Sequence, residues 1–132
     1  VRKKYICKNQ IKKGMAGVKD AIKYIQKNFS IALMIDQRVS EGKKLPFFEY
    51  SALTTTLPAQ LAIKYQLDIV PIYIARNKDE NFEMEICEPI KIINKEDAET
   101  NKLNITIQLN KITEKMISRD PGQWIWSHNR WK

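Results

Sequence analysis

The chain has one histidine, two cysteines and four glycines in 132 residues, and each scarcity removes a class of chemistry. The lone histidine, His128, has no catalytic partner at a recognisable spacing, and no Ser-His-Asp pattern is present. Cys7 and Cys87 stand far apart and fit no metal-ligand spacing. With a single histidine they make no zinc pattern and read as reduced cytosolic thiols. The glycines form neither G-x-x-x-x-G-K nor G-x-G-x-x-G, so a phosphate-cradling loop is excluded. No metal and no cofactor is expected. No apolar run reaches the roughly 18 residues of a membrane span. The opening VRKKYICKNQ is basic without an apolar h-region, so no signal peptide is expected, and its first residue, Val rather than Met, suggests an excised or partial chain.

What is abundant is positive charge. The net charge is +8, from 23 basic and 15 acidic residues. That favours an anionic partner, whether nucleic acid, an acidic protein or a phosphate-rich membrane face. A general bias towards Lys, Ile and Asn is the competing source of the same excess. The apolar share, 43%, suits a folded chain, and the length suits one domain.

Read in order, VRKKYICKNQ is a short strand or a linker. Met15, Val18, Ile22, Ile25 and Phe29 recur at steps of three and four, which predicts a helix over 14–28. SIALMID reads as a buried parallel strand and QRVSEGKKLPFFEYSA as a loop. TTTLPAQLAIKYQ predicts a helix with Pro58 in its first turn and Leu61, Ala62 and Tyr65 facing the core. DIVPIYIAR is a second buried strand with Pro71 at an edge or bulge, and NKDEN is a turn. FEMEIC is a half-exposed strand over 82–87. NKEDAETNK opens a long amphipathic helix carrying Leu103, Ile107, Leu109, Ile112, Met116 and Ile117, and DPG ends it. The alternation predicts an α/β domain, a layered sheet flanked by helices.

Ligands of open α/β sheets bind at the carboxyl ends of strands. Asp36, Gln37 and Arg38 stand at one such end and Arg76 at another. An arginine fork suits phosphate or carboxylate, and Asp and Gln suit hydroxyls. The alternative is a strand-end Asp36–Arg38 salt bridge. Phe47 and Phe48, after Lys43 and Lys44, suit a membrane surface or fold back into the core. The threonines at 54–56 offer hydroxyls to an anion or simply cap a helix. Trp124, Trp126 and Trp131, interleaved with Arg130 and Lys132, suit a membrane interface, stacked bases, or a helix packing its indoles on the core.

Four ordered segments carry a more specific likeness: MIDQRVSEGKKLPFF, ALTTTLPAQLAIKY, IVPIYIAR and NKITEKMISRDPGQWIWSHNRWK. From about Lys13 to Lys132 the chain resembles the bacterial lipid A biosynthesis (lauroyl/myristoyl) acyltransferases, within the wider glycerolipid and lysophospholipid acyltransferase group. The resemblance implies a glycerol-3-phosphate-acyltransferase-like layered fold whose N-terminal part is missing, so that 1–132 is one partial domain. It implies transfer of a fatty acyl group from acyl carrier protein to a hydroxyl of a lipid A precursor, at the cytoplasmic face of the bacterial inner membrane. An anionic membrane surface is then a partner and nucleic acid is not.

By the same resemblance Asp36 and Gln37 lie near the transfer centre, and Glu41 and Gly42 help hold the acceptor. Arg76 contacts phosphate, and Phe47 and Phe48 form a hydrophobic lip. Trp124, His128 and Arg130 belong to a structural or membrane-facing C-terminal signature, and Trp124 and Trp126 join the hydrophobic, membrane-facing lip. Glu49 replaces the glycine that follows Pro-Phe-Phe in the family. The family's catalytic His-x4-Asp/Glu motif lies upstream of the matched region, and 1–132 holds no copy. No catalytic residue is therefore assigned, and the isolated chain is expected to be inactive. The alternative is a non-catalytic, peripheral module that binds anionic lipid, or the remnant of a decayed gene.

Overall fold

A computed structural model describes residues 2–5, 7–12, 14–92 and 97–132. Two compact units make up the chain, residues 1–33 and residues 34–132.

In the first unit, α1 is a single turn, Arg2–Tyr5, where a strand or linker was expected, and α2 is Met15–Ile25. The α2 stop is a Schellman arrangement. Asn28 takes a left-handed φ of 60° and its N–H donates to the Ile25 carbonyl, while the Phe29 N–H reaches back to Tyr24. The Tyr24 and Phe29 rings meet edge to face at 5.6 Å, the apolar contact that accompanies this motif. The buried stripe of α2 is Gly17, Ala21 and Ile25, whereas Met15 and Phe29 are exposed, contrary to the periodicity reading. Gly17 admits no side chain: a Cβ there would sit 1.7 Å from the Lys12 carbonyl oxygen.

The second unit is mixed α/β with two small antiparallel sheets. β1 (Lys43–Phe47) pairs with β2 (Tyr50–Thr54), and β3 (Ile72–Arg76) with β4 (Phe82–Ile86). Helix α3 is Leu57–Tyr65 and α4 is Ala98–Arg119. Two 3₁₀ turns, Pro121–Gln123 and Trp126–His128, form the tail.

Both helices follow their sequence signals. Pro58 sits in the first turn of α3, and Leu61 and Ala62 are buried with Tyr65 half-buried. The Asp97 carboxylate caps α4 by accepting from the Glu99 and Thr100 N–H groups. Hydrogen bonding from Thr100 holds the Asp97 carboxyl below its ordinary pKa. Pro121, just past Arg119, prevents α4 from continuing. Of the helix start expected at NKEDAETNK, residues 94–96 lie outside the described residues.

The strands depart from expectation. Residues 30–36 form no strand, and the region read as a loop holds the β1–β2 hairpin. Lone strands are unstable, and short hairpin closure supplies partners that a parallel crossover would have to bring from afar. β3 is not buried: Ile72, Ile74 and Arg76 are exposed, and so is every residue of β4. The register pairs Ile72 with Ile86, Ile74 with Met84 and Arg76 with Phe82, so five apolar side chains share one open face. On the opposite face the Arg119 guanidinium stacks on Tyr73 at 4.2 Å and donates to Glu85 at 2.7 Å. Pro71 stands just before β3, where no strand N–H is required of it.

α4 ties two small cores together. Ile105 and Leu109 pack with Ala59, and Ile117 packs with Phe47 and Ala52. Between them its inward residues are polar: Thr106, Asn110 and Thr113.

The β1–β2 turn has only Phe48 and Glu49 between the paired ends, both left-handed, with φ of 48° and 67°. That is a type I′ turn, which favours Asn-Gly. The Phe48 N–H donating to Glu114 Oε1 at 2.9 Å fixes it from α4. Glu49→Gly should relieve about 1 kcal/mol of left-handed strain, partly offset by backbone entropy, and so raise the urea midpoint. Glu49→Val should lower it.

Candidate functional site

Of the residues expected at the strand ends, Asp36, Gln37 and Arg76 each meet a residue of the C-terminal tail, and Arg38 does not. Arg130 is 1% exposed and lies at the centre. Its Nη1 donates to the Gln37 carbonyl and, at 3.4 Å, to the Leu53 carbonyl. Its Nη2 donates to Thr54 Oγ1 and Asn110 Oδ1, each at 3.4 Å. One guanidinium thus holds the 34–42 segment, the hairpin and α4. Asn110 completes the junction, its Nδ2 donating to the Pro46 carbonyl at 2.8 Å and to Thr54 Oγ1 at 3.2 Å. The Arg130 Nε has no hydrogen-bond partner among the described residues.

Beneath the guanidinium lies the Phe47 ring, 4.8 Å from Cζ. Phe47 has no exposed surface and is surrounded by Phe48, Trp124 and Trp131 at centroid distances of 5.1, 5.9 and 5.7 Å. Such contacts suit a ring quadrupole and a delocalised cation. Burial pushes the Arg130 pKa down from its ordinary value, while the Asp36 negative charge works the other way. Phe47 therefore belongs to the core, and only Phe48, half-buried, remains near the surface. Trp124 and Trp131 pack inward too, and Trp126 is half exposed.

Asp36 forms no ion pair with Arg38. Its Oδ2 accepts from the Trp124 indole N–H at 3.1 Å. Arg38 is exposed, with no hydrogen bond or ion pair among the described residues. Gln37 enters the network through its backbone carbonyl. Glu41 is exposed, and Gly42 sits against β2, where a Cβ would come within 2.5 Å of the Thr54 carbonyl oxygen. That close approach explains the glycine.

Arg76 does not bond to this group directly. Its backbone N–H donates to Gln123 Oε1 at 2.7 Å, and its carbonyl accepts from Gln123 Nε2 at 3.0 Å, as a strand partner would bind it. Its guanidinium lies over Phe82 at 5.0 Å. Gln123 and Trp124 are adjacent, so neighbouring tail residues anchor Arg76 and Asp36. The arrangement offers a carboxylate fixed on one oxygen, together with exposed guanidinium groups at Arg38 and Arg76.

Of the three threonines, Thr54 is committed to the Arg130 network, and Thr55 Oγ1 accepts from the Leu57 N–H at 3.3 Å. Thr56, at the N-cap, makes no side-chain cap bond and accepts from Gln60 instead. Asn110, Glu114 and Gln123 are the site-building residues that sequence reading passed over, while Thr54 was singled out for a different role. Polar residues at core positions of α4 were the available signal. His128 is exposed. No cluster of three or more metal-ligating side chains occurs among the described residues.

Residues 6–132 match the family model for bacterial lipid A biosynthesis acyltransferases, and the chain belongs to that family. No curated protein sequence matches it. Membership gives the chain an acyltransferase role in lipid A biosynthesis in general terms. Among the described residues, no helix is long and apolar enough to cross a membrane.

Arg130→Met strands several buried acceptors at once and should cost about 3 kcal/mol, measured by urea unfolding. Arg130→Lys should recover less than half of that, because one ammonium cannot serve Gln37 and Asn110 together. Trp124→Phe keeps the ring contacts but removes the donor to Asp36, and should cost about 1 kcal/mol.

Proposed function

We propose that the chain forms the acceptor-binding part of an enzyme that moves a fatty acyl group from acyl carrier protein to a hydroxyl of a lipid A precursor. The work is done at the cytoplasmic face of the inner membrane, against its anionic surface. The observation that carries this reading is the family match across 6–132, which spans every residue of the Asp36–Trp124–Arg130 network.

In such a transfer the acceptor hydroxyl attacks the thioester carbonyl carbon, its proton passes to a base, and the carrier thiol departs. Asp36, held on one oxygen by Trp124, accepts a hydrogen bond from a sugar hydroxyl near the reacting one. Arg38 and Arg76 meet the precursor phosphates, since exposed forks are free to pair bidentately. Glu41 and Gly42 shape the acceptor loop beside β2. Phe48 and Trp126 contribute the apolar lip, a role closed to the buried Phe47.

The two hairpins belong to a larger layered sheet of glycerol-3-phosphate-acyltransferase type, with 1–132 as one partial domain. The open apolar face of β3–β4 supports that, because a sheet face of this composition is ordinarily covered by helices. The general base comes from outside these residues: the sole histidine, His128, is exposed in the tail and no His-x4-Asp/Glu pair occurs within 1–132.

Purified 1–132, incubated with acyl carrier protein thioester and lipid A precursor, should give no turnover above background. Turnover that disappears in His128→Ala would place the base inside the chain and overturn that part of the reading. Precursor binding should be weakened by Arg38→Ala and Arg76→Ala, read by equilibrium dialysis.

A further inference from the structure

The net charge is not shared along the chain. Residues 1–33 hold nine basic residues and one acidic residue, while residues 34–132 hold fourteen of each. The whole excess of +8 therefore belongs to the first unit. A general compositional bias would spread it over both.

Within that unit, every lysine whose burial is described is exposed. On α2, Lys19 and Lys23 stand four residues apart, and Lys27 continues the step just past the helix end, so they share one side. Among the described residues, Lys23 alone of these three forms an ion pair, with Asp20 at 3.5 Å. Met15 begins the same stripe and is 76% exposed, and Tyr5 and Phe29 are exposed nearby in sequence.

We infer that residues 1–33 form an electrostatic docking surface for an anionic phospholipid bilayer. This rests on the membrane part of the reading above and moves the contact away from the aromatic tail. In the tail Arg130 is buried, and Trp124 and Trp131 are packed on Phe47. The basic residues of the first unit suit lipid better than an acidic protein. Eight of the nine are lysines, hydrated point charges on flexible stems, and a single arginine offers the planar fork that pairs bidentately with carboxylate. Lys19, Lys23 and Lys27 lie along one helix side, and although Lys23 and Lys27 also line a small cleft with Asp20 and Tyr24, the exposed ammonium groups spread beyond it, which suits a diffuse layer of headgroups. Tyr5, Met15 and Phe29 supply apolar groups that enter the interface between the lysines.

The test is co-sedimentation of the full chain with phosphatidylcholine vesicles, with and without phosphatidylglycerol. Binding should require phosphatidylglycerol and fall steeply as salt rises. A Lys19→Gln, Lys23→Gln, Lys27→Gln variant should bind on the order of 100-fold more weakly, at about tenfold or less per lysine. A Lys64→Gln, Lys111→Gln, Lys115→Gln variant removes the same charge from the second unit and should bind within about twofold of the parent. Circular dichroism checks that both variants keep their helices. Equal weakening by the two variants would overturn the assignment to residues 1–33. So would equal binding to neutral vesicles, no vesicle binding at all, or binding only to an acidic carrier protein or a nucleic acid. None of these readings depends on acyl transfer, so loss of the catalytic proposal leaves this one standing or falling by itself.

Discussion

The buried guanidinium of Arg130 is the contact on which the second unit depends. Taking an arginine out of water is costly, and it persists only when its donors are met. Here no carboxylate meets it directly. Two backbone carbonyls, a threonine hydroxyl and an asparagine oxygen share it, and an aromatic ring covers it. The acceptors come from three stretches of chain, so one cation sets where the 34–42 segment, the hairpin and α4 lie. The small apolar cores, built around Phe47 and Ala59, could not fix that geometry alone, because dispersion and apolar burial are non-directional.

The consequence for the site is that its placement is delegated. Asp36 and Gln37 have no strand beneath them, and the tail holds them through an indole N–H and a guanidinium. Gln123 extends the same logic to β3 by imitating a strand partner with its side-chain amide. Family membership and this geometry meet in the tail, where the aromatic-cationic signature turns out to be an internal fastening. A tryptophan-rich, basic ending reads naturally as an interface, and the burial of Arg130 with the inward packing of Trp124 and Trp131 redirects attention to the lysines of the first unit.

Helices α3 and α4 were legible because periodicity, a capping Asp97 and the punctuating Pro58 and Pro121 agree with one another. The β1–β2 hairpin was not. Its inward residues Leu45, Phe47, Ala52 and Thr54 do alternate, but the turn between them is Phe-Glu, not Asn-Gly, and Gly42, Lys43 and Pro46 read as loop. SIALMID misled in the other direction: an apolar run suggests a buried strand, but these residues pair with no strand and Leu33 and Met34 are exposed. Asp36, Gln37 and the QWIWSHNRWK tail stood out in sequence as motifs. Their partners did not, because Trp124 and Asp36 lie 88 residues apart and no local pattern links them. Phe47 shows the limit most plainly, since composition allowed both a lip and a core and only packing decided between them.

The long sequence separations also bear on how the unit comes together. Arg130 meets Gln37 across 93 residues and Trp131 meets Phe47 across 84, whereas the hairpins and α4 close locally. Bringing such distant segments together carries a chain-entropy cost that local elements avoid, so the fastening belongs late on the folding route. Interactions made after the rate-limiting barrier govern how fast a protein comes apart more than how fast it forms. The tail fastening thus slows unfolding more than it speeds folding, and the Asp36–Trp124 contact lasts as long as Arg130 stays docked.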